Sequence, residues 1–118
     1  LLSAKEASKM LHYLGIFVYW AGTHASLLPE VVLKECYVDA VLRGEAECNL
    51  YEFYQWRIGK IKADNVRGLC YKKNGEVIIS PLPPLVELSQ LGYHPFEFLD
   101  IKKYVDNPLV NRINYIPG

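Results

Sequence analysis

The sequence lacks most of the features that identify an enzyme or a membrane protein. It contains no glycine-rich phosphate loop, no G-x-S-x-G motif and no cluster of metal ligands. Its three cysteines have no C-x-x-C spacing, which argues against a zinc site or a disulfide framework. Sparse, unpaired cysteines favour reduced thiols and an intracellular location. The apolar run at residues 10–21 is too short to span a bilayer, so no membrane contact is predicted.

The chain also lacks a net charge, because 13 Lys and Arg balance 13 Asp and Glu. The distribution along the chain is nevertheless uneven. Between residues 55 and 73 the only carboxylate is Asp64, whereas the cations there are Arg57, Lys60, Lys62, Arg67, Lys72 and Lys73. Such a basic segment in an otherwise acidic chain indicates either a binding surface for a polyanion or a solvated face.

The composition is that of an ordinary globular domain, with 51% hydrophobic and 22% charged residues. A length of 118 residues predicts a single domain, 1–118, with a helical core plus a hairpin over 1–80 and a C-terminal helical extension over 81–118. Aromatic residues make up 13% of the chain, which indicates an aromatic-rich core or an aromatic contact surface.

Periodicity and capping signals predict a mostly helical fold. A capping box at Ser3 and Glu6 begins a first helix, which the apolar pattern extends to residue 21. Further helices are predicted over residues 29–42 and 49–62, and shorter ones over 85–91 and 96–105.

A β-hairpin is predicted over residues 69–79, because Asn74-Gly75 supplies the two positive φ angles of a type I′ turn. The predicted fold class is therefore α+β, with four to five helices and one two-stranded antiparallel hairpin. The tail at residues 109–118 is compatible with a short strand, a surface segment or the start of a following segment.

Three helices followed by a hairpin resemble the element order of winged-helix domains, over about residues 3–80. The resemblance implies a third helix in the major groove of double-stranded DNA and a hairpin against phosphate. The nucleic-acid-binding residues that it implies are Gln55, Arg57, Lys60, Lys62, Arg67, Lys72 and Lys73. The predicted function is therefore non-enzymatic nucleic-acid binding.

The alternative function is a protein interaction or self-assembly module, a homodimer or a partner subunit, that uses an aromatic-rich helical surface. A nuclease built on Asp64, Glu76 and Lys72 is disfavoured, because two strands are too few for the usual catalytic sheet. The acidic residues Glu45, Glu47 and Glu52 are interpreted as a solvated edge rather than a cation site. No catalytic residue, metal, cofactor or small-molecule substrate is predicted.

Overall fold

The computed structural model describes residues 2–87, 89, 92 and 96–105 of the chain. It divides into two compact units, Leu1–Leu88 and Ser89–Gly118. The single-domain organisation expected from the length stays a prediction.

A four-stranded mixed sheet forms the centre of the first unit. Its strands are β1 (Tyr19–Ala21), β2 (Ala40–Leu42), β3 (Leu69–Lys73) and β4 (Glu76–Ile78), and they lie in the order β1-β2-β3-β4. Strands β1 and β2 run parallel, whereas β2–β3 and β3–β4 are antiparallel pairs. The predicted fold class, a helical core with a single two-stranded hairpin in winged-helix-like order, is therefore wrong.

The described part of the chain contains five α-helices, four in the first unit and α5 in the second. They are α1 (Leu2–Tyr13), α2 (Thr23–Leu27), α3 (Pro29–Lys34), α4 (Ala46–Arg57) and α5 (Ile101–Val105). Short 3-10 turns cover Ala63–Asn65 and Phe96–Phe98.

The first predicted helix ends eight residues earlier than its apolar pattern indicated, because Gly15 stops α1. Gly15 has a φ of +71°, and its N–H donates to the His12 carbonyl at 2.9 Å. The Ile16 N–H reaches back to the Leu11 carbonyl at 3.0 Å. These two bonds form a Schellman motif, which satisfies the last carbonyls of a helix and turns the chain away. The following apolar residues then enter β1.

The second predicted helix, residues 29–42, is also divided between a helix and a strand. Helix α3 ends at Lys34, and residues 40–42 form β2 with all three side chains buried. A strand that is covered on both faces has no alternation of polar and apolar residues, so its sequence resembles that of a buried helix.

The hairpin lies where the sequence places it, but as one side of the larger sheet. Asn74 and Gly75 have φ values of +52° and +85°, the sign that a type I′ turn requires at both positions. Lys73 pairs with Glu76 next to the turn.

Two hydrophobic cores lie on opposite faces of the sheet, and alternation along β2 separates them. Val41 points to the face covered by α2 and α3, whereas Ala40 and Leu42 point to the face covered by α4. The α3-side core consists of Ala25, Val32, Leu33, Tyr37, Val38, Val41 and Cys70. The α4-side core consists of Ala40, Leu42, Phe53, Val66 and Leu69.

Parts of the predicted C-terminal extension lie outside the described residues, including the tail at 109–118 and part of the predicted helix 85–91. Within the second unit, the predicted helix 96–105 is present as a 3-10 turn followed by α5. No helix in the described part of the chain combines the length and the apolar character that crossing a membrane requires.

Candidate ligand crevice at the carboxyl ends of the parallel strands

The carboxyl ends of the two parallel strands lie side by side at one end of the sheet. Each strand is followed by a helix on a different face. The chain leaves β1 through Gly22 into α2, which packs in the α3-side core through Ala25. It leaves β2 through Gly44 into α4, which packs on the opposite face through Phe53. Connections that diverge in this way leave an open crevice beyond the strand ends, where open α/β sheets bind their ligands.

A cavity of about 470 Å³ occupies this position, which is within the usual range for small-molecule sites. We call it the crevice. It is lined by Gly22, Thr23, Ser26, Leu27, Gly44, Glu45, Ala46, Glu47 and Leu82. Gly22 and Gly44 have φ values of +96° and +83°, a region that glycine adopts without strain, so the chain can turn sharply at both strand ends.

Hydrogen bonds hold the two walls of the crevice together. The buried Ser26 hydroxyl accepts a bond from the Gly44 N–H at 3.0 Å. The Arg43 guanidinium donates from Nε to the Ser26 carbonyl at 2.9 Å and from Nη1 to the Ser80 carbonyl at 2.5 Å. These bonds join α2, the loop after β2 and the segment after β4. They therefore hold the residues that line the crevice in a fixed arrangement.

A second set of bonds holds the start of α4. Asn49 is fully buried, and its Nδ2 donates to the carbonyls of Arg43 and Arg67, each at 2.9 Å. The Asn49 Oδ1 is buried without a hydrogen-bond partner in the described structure. Because two donors are already used on two carbonyls, the orientation of this amide is determined.

The crevice surface is mostly apolar, with acidic and hydroxyl-bearing side chains at four of its lining positions. Glu45 and Glu47 are the two charged side chains among its described lining residues, and Thr23 and Ser26 add hydroxyls. Helix α4 has no side-chain cap at its N-cap residue, Glu45. The crevice can bind and orient a ligand that carries hydroxyls or a positive charge. The described residues contain no group of three or more His, Cys, Asp or Glu that could hold a metal.

Neither Glu45 nor Glu47 is predicted from the sequence to belong to a binding site. The sequence predicts a solvated edge at Glu45 and Glu47, and both side chains are exposed. Glu52, from the same acidic group, instead pairs with Arg67 at 2.9 Å. The sequence signal that could have identified the crevice occurs twice: an apolar segment is followed by a glycine, directly at Gly22 and after Arg43 at Gly44.

The predicted third helix covers the sheet. Gln55 is half-buried on α4, and Arg57 lies at its end with the guanidinium 3.8 Å from the centre of the Phe17 ring. A second Schellman motif ends the helix at Gly59, whose N–H donates to the Trp56 carbonyl at 2.9 Å. Lys60 and Lys62 are exposed and lie beyond the end of α4, not along it.

The other predicted contact residues point in different directions. Lys72 is half-buried, and its Nζ donates to the carbonyls of Glu35 at 2.7 Å and Val38 at 2.8 Å. Arg67 bonds to Glu52, whereas Lys73 is exposed beside the hairpin turn. Arg57, Arg67 and Lys72 thus contact other groups of the chain itself, whereas Lys60 and Lys62 are exposed. The contact role suggested for these residues stays a prediction.

Two buried ionisable groups lie in the α3-side core, away from the crevice lining. Burial raises the pKa of the Tyr37 hydroxyl above its ordinary value, and the neighbouring Glu35 carboxylate raises it further. Burial also raises the pKa of the Cys70 thiol, although a hydrogen bond with the Ser80 backbone and the nearby Arg43 charge act in the opposite direction. Both groups therefore stay neutral near pH 7.

Comparison with known proteins adds one relative. An uncharacterised methyltransferase of Pyrococcus horikoshii is 32% identical over 91 residues, which cover 75% of this chain and 20% of the relative. The chain thus spans about a fifth of the length of this curated relative. No protein-family model and no solved structure matches.

This similarity corrects the predicted function. The relative is named as an enzyme, so a non-enzymatic winged-helix or helix-turn-helix DNA-binding domain is wrong, and a helical interaction module is no longer supported. The physical reason is that the helix expected to enter the major groove packs on a sheet through Phe53 and Trp56. The expectation of no small-molecule substrate is not supported either, because the crevice has room for one.

Proposed function

We propose that the chain is a ligand-binding module of a methyltransferase, and that the crevice holds a small molecule of the methyl-transfer reaction. The observation that carries the proposal is the position of the crevice beyond two parallel strands whose following helices cover opposite faces of the sheet. The name of the relative supports the reaction class.

The charge of the crevice favours the methyl donor over an anionic ligand. A methyl group is transferred readily from a positively charged atom such as the sulfur of a sulfonium. Carboxylates of Glu45 and Glu47 attract such a cation, and the hydroxyls of Thr23 and Ser26 can bond to a sugar. In this proposal the described residues bind and orient the ligand, and the rest of a larger polypeptide completes the enzyme.

The ligand is tested by calorimetric titration of the chain with S-adenosylmethionine, a sulfonium cation, and with its neutral product S-adenosylhomocysteine. Binding of the cation is expected to be tighter. Glu47→Gln is expected to weaken binding of the cation about threefold and to leave the neutral compound unaffected, since partly exposed charges contribute up to about 1 kcal/mol. Glu76→Gln, a matched change outside the crevice, is expected to alter neither.

Filling the crevice locates the ligand. Ala46→Leu adds three carbons to its lining at the first position of α4 and is expected to weaken binding of both compounds about tenfold or more. Unchanged affinities in this variant would place the ligand elsewhere. Failure of both compounds to bind the wild-type chain would reject the proposed ligand.

An intracellular location belongs to the same proposal. Cys36 is exposed and Cys70 is buried, and both are free thiols, which is the usual state in a reducing compartment. The homodimer or partner subunit suggested by the sequence stays a prediction.

A further inference from the structure

Strand β1 pairs on one side only. Val18, just before it, donates its N–H to Asp39 Oδ2 at 2.7 Å and accepts from the Asp39 N–H at 2.8 Å, so both backbone groups face β2. Because backbone groups alternate in direction along a strand, those of Tyr19 and Ala21 face away from β2. In the described part of the chain no strand pairs with that outer side.

The sequence of β1 carries none of the devices that protect a sheet edge. Residues 16–21 read Ile-Phe-Val-Tyr-Trp-Ala, six apolar residues without a charge or a proline. The opposite edge of the sheet, β4, differs because its hairpin carries Lys73 and Glu76 beside the turn. Edge strands of natural sheets use charge, proline or bulges to prevent pairing with other strands.

Helices contact both faces of β1, although the Tyr19 and Ala21 side chains are exposed. On the α3 side, the Trp20 indole N–H donates to the Ser8 hydroxyl of α1 at 2.9 Å. On the α4 side, the Tyr19 ring centre lies 4.6 Å from that of Phe53. A strand with helices on both faces and a continuous apolar sequence is typical of the interior of a parallel sheet rather than of its edge.

We propose that the outer edge of β1 pairs with a further parallel strand, contributed by another segment of the longer methyltransferase polypeptide. The chain spans 20% of the relative's length, so a polypeptide of that size has many segments that could supply the strand. Main-chain hydrogen bonds to Tyr19 and Ala21 would provide the affinity, as they do when a strand is added to an open sheet edge. This pairing does not depend on which ligand enters the crevice, so either proposal can fail alone.

The pairing is tested by nuclear magnetic resonance of the ¹⁵N-labelled chain, with amide hydrogen exchange as the readout. The probe is a synthetic peptide of alternating valine and threonine with a lysine at each end. The peptide is expected to slow exchange of the Tyr19 and Ala21 amides at least tenfold. The Trp20 amide, which faces β2, and the amides of β4 serve as internal controls and are expected to change little.

Two variants separate edge pairing from folding. Ala21→Pro removes an outward N–H, and the outer side of an edge strand is where a sheet tolerates proline. Ala21→Lys keeps the N–H and adds a charge at the edge. Both are expected to abolish the effect of the peptide on Tyr19, while slow exchange in β2 shows that each variant is folded.

Three results would overturn the proposal. One is unchanged exchange at Tyr19 and Ala21 when the peptide is in excess. Another is protection of these amides without peptide at every protein concentration, which would mean that the chain covers its own edge. The third is protection that increases with protein concentration, which would identify a second copy of the chain as the occupant.

Discussion

The Asn49 side chain donates one hydrogen bond to the Arg43 carbonyl and one to the Arg67 carbonyl, each at 2.9 Å. It therefore joins the loop after β2 to the loop before β3, across the start of α4. Since Asn49 has no exposed surface, neither carbonyl can exchange this donor for water without opening the structure.

Replacement of Asn49 is expected to be strongly destabilising. Asn49→Ala leaves two buried carbonyls without their donor, which is expected to lower the free energy of unfolding by about 2–4 kcal/mol. Asn49→Asp is expected to cost more at pH 7, because a buried carboxylate would face the two carbonyls. Urea denaturation measures both, and Asn65→Asp at an exposed position is the control, with an expected change within about 0.5 kcal/mol. Equal stabilities for the three variants would contradict the assigned role.

Two glycines with similar backbone angles are expected to respond differently to alanine. Gly68 has a φ of +69°, and an added Cβ would lie 2.6 Å from the Arg43 carbonyl oxygen. Gly59 has a φ of +75° with nothing within 4 Å of an added Cβ. Gly59→Ala is expected to cost about 1–2 kcal/mol for the left-handed conformation alone. Gly68→Ala adds a backbone clash, for which about 1–3 kcal/mol more is expected.

Thermal and urea unfolding of the two glycine variants provide the comparison. If Gly59→Ala were as destabilising as Gly68→Ala, the close approach of Gly68 to Arg43 would contribute nothing. The backbone conformation alone would then account for both results.

Replacement of the two neighbouring lysines of the hairpin, Lys72 and Lys73, is expected to change stability by different amounts. The Lys72 ammonium donates to two carbonyls, those of Glu35 and Val38, whereas Lys73 is exposed. Lys72→Met removes both charge-assisted bonds and is expected to lower stability by about 2 kcal/mol. Lys73→Met is expected to change it by less than about 0.5 kcal/mol. Chemical denaturation at two salt concentrations tests this, and a large effect of Lys73→Met would contradict it.

The buried thiol of Cys70 is expected to make stability fall at alkaline pH. Its pKa is raised in the folded state, so the unfolded chain loses the proton first as the pH rises through about 9. Stability is therefore complete below that pH and decreases as the pH rises toward the folded pKa. Tyr37 acts in the same direction at still higher pH. Urea denaturation from pH 7 to 10.5 is expected to show a smaller alkaline loss for Cys70→Ala.

Thiol labelling gives an independent check on Cys70. Iodoacetamide is expected to modify exposed Cys36 quickly and Cys70 only after local or global opening, because the reactive thiolate is both rare and inaccessible there. Peptide mass spectrometry assigns each rate to its residue. Similar rates at Cys36 and Cys70 in the native protein would show that Cys70 is not buried.

The hairpin could be predicted because its signal is local. Asn74-Gly75 determines the turn through backbone sterics, and the flanking residues need only each other to form a ladder. Strands β1 and β2 have no such signal. Each is three residues long, and β1 lies at the end of a longer apolar run. The identity of each as a strand depends on pairing with a segment about 20 residues away. Periodicity alone does not separate a short buried strand from a buried helix.

The partners of the basic residues could not be predicted from the sequence, for a related reason. Charge counts identify where cations are in the sequence but not what they bind. The partners of Lys72 are backbone carbonyls 37 and 34 residues away, and those of Arg67 are the carboxylate oxygens of Glu52. The crevice could not be predicted because Glu45 and Glu47 line it only once β1 and β2 pair and their carboxyl ends lie side by side.

The two tryptophans of the chain report on different layers. Trp20 packs against the α3-side core. Trp56 lies on the other face of the sheet, and its ring centre is 5.6 Å from that of Phe53 and 5.6 Å from that of Tyr71. Replacing either one by phenylalanine leaves a single tryptophan on a known side of the sheet. Emission from the two variants would then reveal whether the layers come apart together or in sequence, without any external dye.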